Sequence, residues 1–326
     1  MLVLSRAYLE RVLTPSAVID AMAVAFRRYA EGACNVPPRA ATTVGKEGIL
    51  LTMPAAFSAG GARGLGAKLV TVYPGNLARG HPTVYASYLL MEGSTGLPLA
   101  LLESTFLTAI RTGATSALAA GLLARPEARR VACFGAGVQA GFQLRCLAAL
   151  RPLERVTVVG RDPERARAFV AAMGETLGIP VELGADRHRA VREAHLIVCA
   201  TTSPTPVVFG ADLSPGVHVD AVGAFRPTDR ELDNEAIRRA RVVVDTYAGA
   251  LAEAGDVLIP QREGAIGEGH VVAELAELVT GRRRGRTGAD DVTVFKSVGF
   301  ALEDLATAQL AYDRARAKGI GMEVTL

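Results

Sequence analysis

An apolar run, Arg130-Val131-Ala132-Cys133-Phe134, feeds without a break into Gly135-Ala136-Gly137-Val138-Gln139-Ala140, and a helical pattern follows. A buried strand that turns through Gly-x-Gly-x-x-Ala into a helix is the opening of a βαβ unit that binds a dinucleotide. Gly135 permits the tight bend, and Gly137 lets the backbone approach a pyrophosphate. Ala140 is small enough for close helix–strand packing, and the helix N-terminus adds N–H groups and the positive end of its dipole. The motif begins only after about 130 residues, so a substantial piece of protein precedes it, and substrate chemistry is expected there.

Beyond the turn, strand and helix patterns alternate at βαβ spacing. Strands are expected at 155–159, 180–183, 194–200, 218–223, 241–246 and 292–296, with an amphipathic helix over 164–177 behind Pro163. Near-continuous apolar strands of this kind are buried on both faces, which predicts a Rossmann-type doubly wound parallel sheet covered by helices. The first 110 residues read differently. A helix over 15–30, with Val18, Ile19, Met22, Ala25 and Phe26 at helical spacing, precedes Gly- and Pro-punctuated strands at 49–53, 65–72, 84–91 and 97–103. Glu92-Gly93-Ser94-Thr95-Gly96 reads as a hairpin turn, and a helix over 104–123 leads into the dinucleotide region. The fold class is therefore α/β, with an α+β domain over 1–115 and a dinucleotide domain over 116–298.

Composition excludes several other classes. Half of the 326 residues are apolar and the formal net charge is only +3, so neither a nucleic-acid binder nor a disordered chain is expected. The short basic run Arg282-Arg283-Arg284-Gly285-Arg286 reads as a solvated loop. No membrane span and no signal peptide are expected. Cys34, Cys133, Cys146 and Cys199 show no CxxC spacing, which suits a reduced, cytoplasmic setting. The five histidines form no metal-ligand pair, so no metal is expected, and solvated or capping roles are their default.

Cofactor choice is written at the end of the second expected strand, Gly160-Arg161-Asp162. A small residue followed by arginine suits the 2′-phosphate of NADPH, because the guanidinium is a permanent cation with a planar fork of donors. NADH is the alternative if Arg161 is a solvated turn residue and Asp162 takes the ribose. In the N-terminal region, Lys68 interrupts an apolar strand pattern and Arg111 stands among small and apolar helix neighbours. A cation in such a setting must reach solvent or meet an anion. From periodicity alone a lysine that snorkels to solvent is the ordinary outcome. Convergence of Arg39, Lys68 and Arg111 on a substrate carboxylate is the functional one.

At these residues the chain resembles the ornithine cyclodeaminase/mu-crystallin family, over nearly its whole length. Pro37-Pro38-Arg39, Met53-Pro54-Ala55, Gly66-Ala67-Lys68, Pro82-Thr83-Val84, Arg111-Thr112-Gly113-Ala114, the glycine turn, Gly223-Ala224-Phe225-Arg226-Pro227 and Phe295-Lys296-Ser297-Val298-Gly299 carry the resemblance in that order. It implies a homodimer in which residues 1–115, completed by the C-terminal helix 299–326, form the substrate and dimerisation domain. It also implies that Arg39, Lys68 and Arg111 bind the substrate carboxylate, with Lys68 also near the reacting nitrogen. Thr83 is implied beside the nicotinamide. Arg111, Thr112, Val138, Gln139, Thr202, Val222 and Ser297 would line the cofactor, and Phe225 and Val298 the substrate.

The ornithine-cyclising members carry an aspartate proton acceptor at the position of Phe225, and phenylalanine cannot serve there. The variant resembles the family's imine and ketimine reductases instead. The expectation is NADPH-dependent reduction of a small carboxylated imine, such as Δ1-pyrroline-2-carboxylate to L-proline. An alanine or N-alkyl amino-acid dehydrogenase, an ornithine cyclodeaminase using Asp229 or Asp220, and a non-catalytic binder of NADPH and small carboxylates are the rivals.

Overall fold

The computed structural model describes residues 1–58 and 64–325; residues 59–63 and 326, which fall in the expected substrate domain, lie outside the described residues. The chain divides into two units, Met1–Arg111 with Phe300–Leu326, and Thr112–Gly299.

In the first unit, β1 (Leu2–Leu4) and α1 (Arg6–Val12) precede α2 (Pro15–Ala30). Thr14 caps α2 by accepting from the Ala17 N–H, Pro15 supplies the φ of a first helical residue, and the five apolar residues named above form its buried face. Next, β2 (Cys34–Asn35) and β3 (Ala40–Val44) lie along β4 (Gly48–Phe57). An antiparallel meander continues through β5 (Gly64–Val72), β6 (Val84–Glu92) and β7 (Pro98–Glu103). Strand β4 outruns its expected end at 53 and carries Pro54 in its interior. Strand β3 pairs with 48–52 and β2 with 56–57, so among the described residues Pro54 has no strand neighbour on the outer side of β4, a place where a strand tolerates proline. The boundary between the units falls inside α3 (Ser104–Leu123). By length and apolar composition alone α3 could cross a membrane, but 72% of its apolar stretch is buried, as in a core helix.

The second unit holds β8 (Arg130–Phe134), α4 (Val138–Leu150), β9 (Arg155–Val159), α5 (Pro163–Leu177), β10 (Val181–Leu183), α6 (Arg187–Glu193), β11 (Leu196–Cys199) and β12 (His218–Ala221). It continues with α7 (Asn234–Arg239), β13 (Ala240–Val244), α8 (Tyr247–Glu253), α9 (Gly255–Arg262), β14 (Val271–Glu274), α10 (Leu275–Val279) and β15 (Val292–Lys296). All pair in parallel in the order β10-β9-β8-β11-β12-β15-β13-β14. The doubly wound sheet expected from the apolar strands is thus present, and its order reverses between β8 and β11. Crevices at such a reversal, outside the carboxyl ends of the strands, are where ligands bind.

Two expectations need correction here. His218 is neither solvated nor capping: it is fully buried on β12, bonded to Thr293 and Asp220. Arg286 is not a solvated loop residue, because its guanidinium donates to the carbonyls of Leu123, Asp291 and Gly216 and ties three segments together.

The chain then returns to the first unit with α11 (Ala301–Lys318) and β16 (Met322–Glu323). The sheet of that unit runs β16-β1-β7-β6-β5-β4-β2, with β3 also on β4. Helix α11 packs on α2, β4, β5 and β6. Phe300, at its N-cap, sets its ring edge-on to Tyr29 of α2 at 4.9 Å, which fixes where the first turn of α11 begins.

Candidate active site

The glycine turn has the form a pyrophosphate requires. Gly135 adopts φ 112°, and a Cβ there would lie 2.5 Å from the Ala200 carbonyl, so no other residue fits. Its N–H donates to Val159 at the end of β9 (3.0 Å). Gly137 is the N-cap of α4 and brings no side chain to satisfy the first-turn amides. A Cβ on it would meet only an Arg165 Nη at 3.8 Å, which leaves that side open to an anion. Ala140 is fully buried, Val138 is 65% exposed and Gln139 is half-buried.

A cavity of about 410 Å3 opens over this turn; Arg161, Arg165 and Arg187 line it, and so do Thr201, Thr202 and Ser203 after β11. Asp162, the other candidate for the ribose, is the N-cap of α5: one of its carboxylate oxygens accepts the amides of Glu164 (3.0 Å) and Arg165 (3.2 Å). The donors and open volume fit a dinucleotide.

The second centre lies wholly in the first unit. Residues on β5 alternate, with Leu65, Ala67 and Leu69 on one face and Gly66, Lys68 and Val70 on the buried face. Lys68 is only 2% exposed, so the solvent-reaching alternative falls. Its Nζ lies 2.8 Å from Oδ2 of Asp304 on α11. Arg111, at the middle of α3, donates from Nε to the other oxygen of Asp304 (3.0 Å) and from Nη1 to Glu303 (2.6 Å). Both carboxylates belong to the first turn of α11, where the helix dipole favours negative charge.

Burial pulls the Lys68 ammonium down to about 8; Asp304 opposes that shift and Arg111 adds to it. For Arg111 burial also works against the charge, but Asp304 and Glu303 outweigh it and its pKa is raised. Tyr88, directly across from Lys68 on β6, is fully buried, and burial together with the Asp304 charge raises its phenol well above the usual range.

The other anticipated residues are distributed as follows. Arg39 is half-buried in the segment entering β3, and Thr83 is half-buried before β6, its carbonyl accepting from Tyr73 (2.8 Å). The Thr112 carbonyl accepts from Gln143, and the Val222 N–H donates to Cys199. Phe225 is 41% exposed, with the Arg226 guanidinium 5.8 Å from its ring, so it is not core packing. Asp220 is buried against His218 inside the sheet, and the half-buried Asp229 accepts from Thr228.

Sequence reasoning missed Asp304 and Glu303, which organise the cations. It also missed Asp245 at the end of β13, whose Oδ2 takes the Ser297 hydroxyl and the amides of Val298 and Gly299. That single carboxylate fixes the loop in which the resemblance placed two site residues.

A doubly wound parallel sheet with an uncapped glycine turn defines the second unit as a nicotinamide-dinucleotide-binding module. The chain belongs to the ornithine cyclodeaminase/mu-crystallin family, whose pattern it matches over residues 1–319. It is 38% identical to a Δ1-pyrroline-2-carboxylate reductase of Bacillus cereus, over 99% of both chains. A solved structure of the Thermococcus litoralis Δ1-pyrroline-2-carboxylate reductase in complex with NADH and L-proline is 41% identical, with TM-score 0.96 over 99% of this chain and 100% of that one. An archaeal alanine dehydrogenase dimer with bound NAD is 32% identical, with TM-score 0.93 over 100% and 99%.

Proposed function

We propose that this chain reduces a small cyclic carboxylated imine, Δ1-pyrroline-2-carboxylate, to L-proline. The observation that carries the reading is the buried pair of cations, Lys68 and Arg111, arrayed on one carboxylate in a unit otherwise built from apolar strands. Full-length similarity to two reductases of that name, one of them with L-proline bound, supports it. When bound, the reduced nicotinamide supplies the hydride.

The residues of the chain do the rest. Lys68, Arg111 and Arg39 hold the substrate carboxylate, which fixes the C=N carbon in one orientation and removes the entropic cost of finding it. Asp304 and Glu303 keep the two buried cations charged before substrate arrives. Lys68, with its lowered pKa, is poised to deliver a proton to the imine nitrogen when that nitrogen is not already protonated. Phe225 offers an apolar, exposed ring where an ornithine-cyclising enzyme needs an acid–base group.

Dinucleotide oxidation with Δ1-pyrroline-2-carboxylate, and L-proline as product, is the test. Absence of turnover alongside robust cyclodeamination of ornithine would overturn the reading. Turnover of pyruvate only with added ammonia would favour the amino-acid dehydrogenase reading, to which the archaeal neighbour lends weight.

NADPH is the preferred cofactor in this proposal, although the solved relatives hold NADH or NAD. Three arginines line the cavity, and Asp162 is engaged in capping α5. Arg161→Ala is expected to lower kcat/KM for NADPH by roughly 10- to 100-fold, the weight of one charge-assisted contact, with NADH nearly unaffected. Equal effects on the two cofactors would remove Arg161 from the phosphate site.

A homodimer through the first unit completes the proposal. Leu69, Tyr85 and Leu101 are 47%, 48% and 38% exposed on the sheet face opposite Lys68, an apolar surface that a second copy would cover. Leu69→Glu is expected to shift the sedimenting species from dimer to monomer. A wild-type monomer would contradict the assembly.

A further inference from the structure

We propose that Glu231 is the positioning residue for the nicotinamide end of the dinucleotide site, where it holds the loops after β11 and β12 together. The inference rests on the dinucleotide reading above. With the pyrophosphate on the Gly137 turn and the adenosine ribose toward Arg161 after β9, the other half of the cofactor must run the opposite way, across the carboxyl ends of β11 and β12. Those ends continue as irregular loops, and one carboxylate between them collects their donors.

Oε1 of Glu231 accepts the Thr201 N–H (2.8 Å) and the Thr201 hydroxyl (2.7 Å). Oε2 accepts the N–H groups of Gly223 (2.7 Å) and Ala224 (3.2 Å). A Cβ on Gly223 would collide with Thr201 and with Glu231 itself, so the two loops touch through a residue that has no side chain to give.

Glu231 is itself held. It is completely buried, and its N–H donates to Oδ1 of Asp256 on α9 (2.7 Å). Oδ2 of Asp256 lies 2.8 Å from Nζ of Lys296 at the end of β15, and Lys296 returns to the Ala224 carbonyl (2.5 Å). Lys296 thus pairs with Asp256, and burial raises the Glu231 carboxyl above the ordinary range, with the charge of Lys296 opposing that rise. Such a network is costly to bury, and a fold needing only to close its core does better with apolar side chains. The location of its donors explains it. Ala200 and Thr201 line the cofactor cavity, and the Ala200 carbonyl abuts Gly135 of the pyrophosphate turn. Any shift of Thr201 is therefore passed to the wall of the cofactor site.

Glutamine at this position has one acceptor oxygen, and its NH2 would face an N–H donor in either orientation: that of Thr201, or those of Gly223 and Ala224. In the full-length Glu231→Gln variant, NADPH affinity measured by nucleotide fluorescence is expected to fall roughly tenfold or more, as for loss of a charged hydrogen-bond partner. Affinity for 2′,5′-ADP, which lacks the nicotinamide half, should fall by clearly less, because of the anchored residues only Thr201 lines the cavity that holds Arg161, and KM for the imino acid should stay within about twofold. Thr201→Val deletes one donor to Oε1 and leaves the carboxylate in place; it should give the same pattern with a smaller loss, and it decides the matter if Glu231→Gln fails to fold. Equal weakening of both nucleotides, or no weakening in either variant, overturns the proposal. If wild-type protein binds neither NADPH, NADH nor the adenosine fragments, the dinucleotide reading itself falls, a result separable from either of the others.

Discussion

Lys68→Met is expected to lower kcat/KM for the cyclic imine by about a thousandfold, the consequence of removing one member of a buried charge arrangement. Dinucleotide affinity, carried by the other unit, should not change. Methionine nearly matches the lysine in length and fills the same space without charge. Asp304 retains Arg111 at 3.0 Å, so the variant leaves no orphaned carboxylate and should remain folded. Activity within tenfold of wild type would reduce Lys68 to a structural residue.

The same lysine sets a pH dependence. It must be charged to hold a carboxylate, so kcat/KM should fall as pH rises through about 8. Lys68→Arg should abolish that limb, because a guanidinium stays charged throughout. Stability moves the other way. The folded-state value lies below the 10.5 of an ordinary lysine, so the unfolded chain binds this proton more tightly. The contribution of this group to stability therefore rises with pH between about 8 and 10.5. A denaturation series in that window, with an activity profile beside it, would reveal the opposed signs.

Asp304→Asn is expected to have the larger effect on stability, about 3–5 kcal/mol, because it strips the shared anion from two buried cations and leaves Glu303 alone against both. It also removes the charge that supports the Lys68 ammonium, so any residual activity should lose its basic limb at a pH below the wild-type value. An unchanged melting temperature would mean that the cluster is not the anchor of α11 that its geometry makes it.

How much of this was legible differs from residue to residue. Lys68 and Arg111 stood out because each interrupts an apolar pattern whose period is known, two for a strand and 3.6 for a helix. Their partners did not stand out. Glu303 and Asp304 look like the acidic first turn of any helix, and Asp304 is 193 residues from Arg111. No local periodicity encodes a contact at that distance. The second unit was readable strand by strand because parallel strands are apolar throughout. Strand β14 and helices α7 to α10, each eight residues or shorter, were not, since so few residues hold only about one or two periods, too few for a pattern to stand out. Glu231 and Asp245 escaped for a different reason: a carboxylate that accepts backbone amides shows no partner residue type in the sequence.

The return of α11 to the first unit has a consequence for the order in which the molecule can be completed. The second unit is one continuous segment, finished at Gly299, whereas the cluster of Lys68 and Arg111 waits for carboxylates made after it. At roughly 5–20 residues per second, the 193 residues between Arg111 and Asp304 take a ribosome about 10–40 s. Through that interval the two cations must stay hydrated, so the unit that begins the chain closes last, and its buried ion cluster is the final part of the protein to come into being.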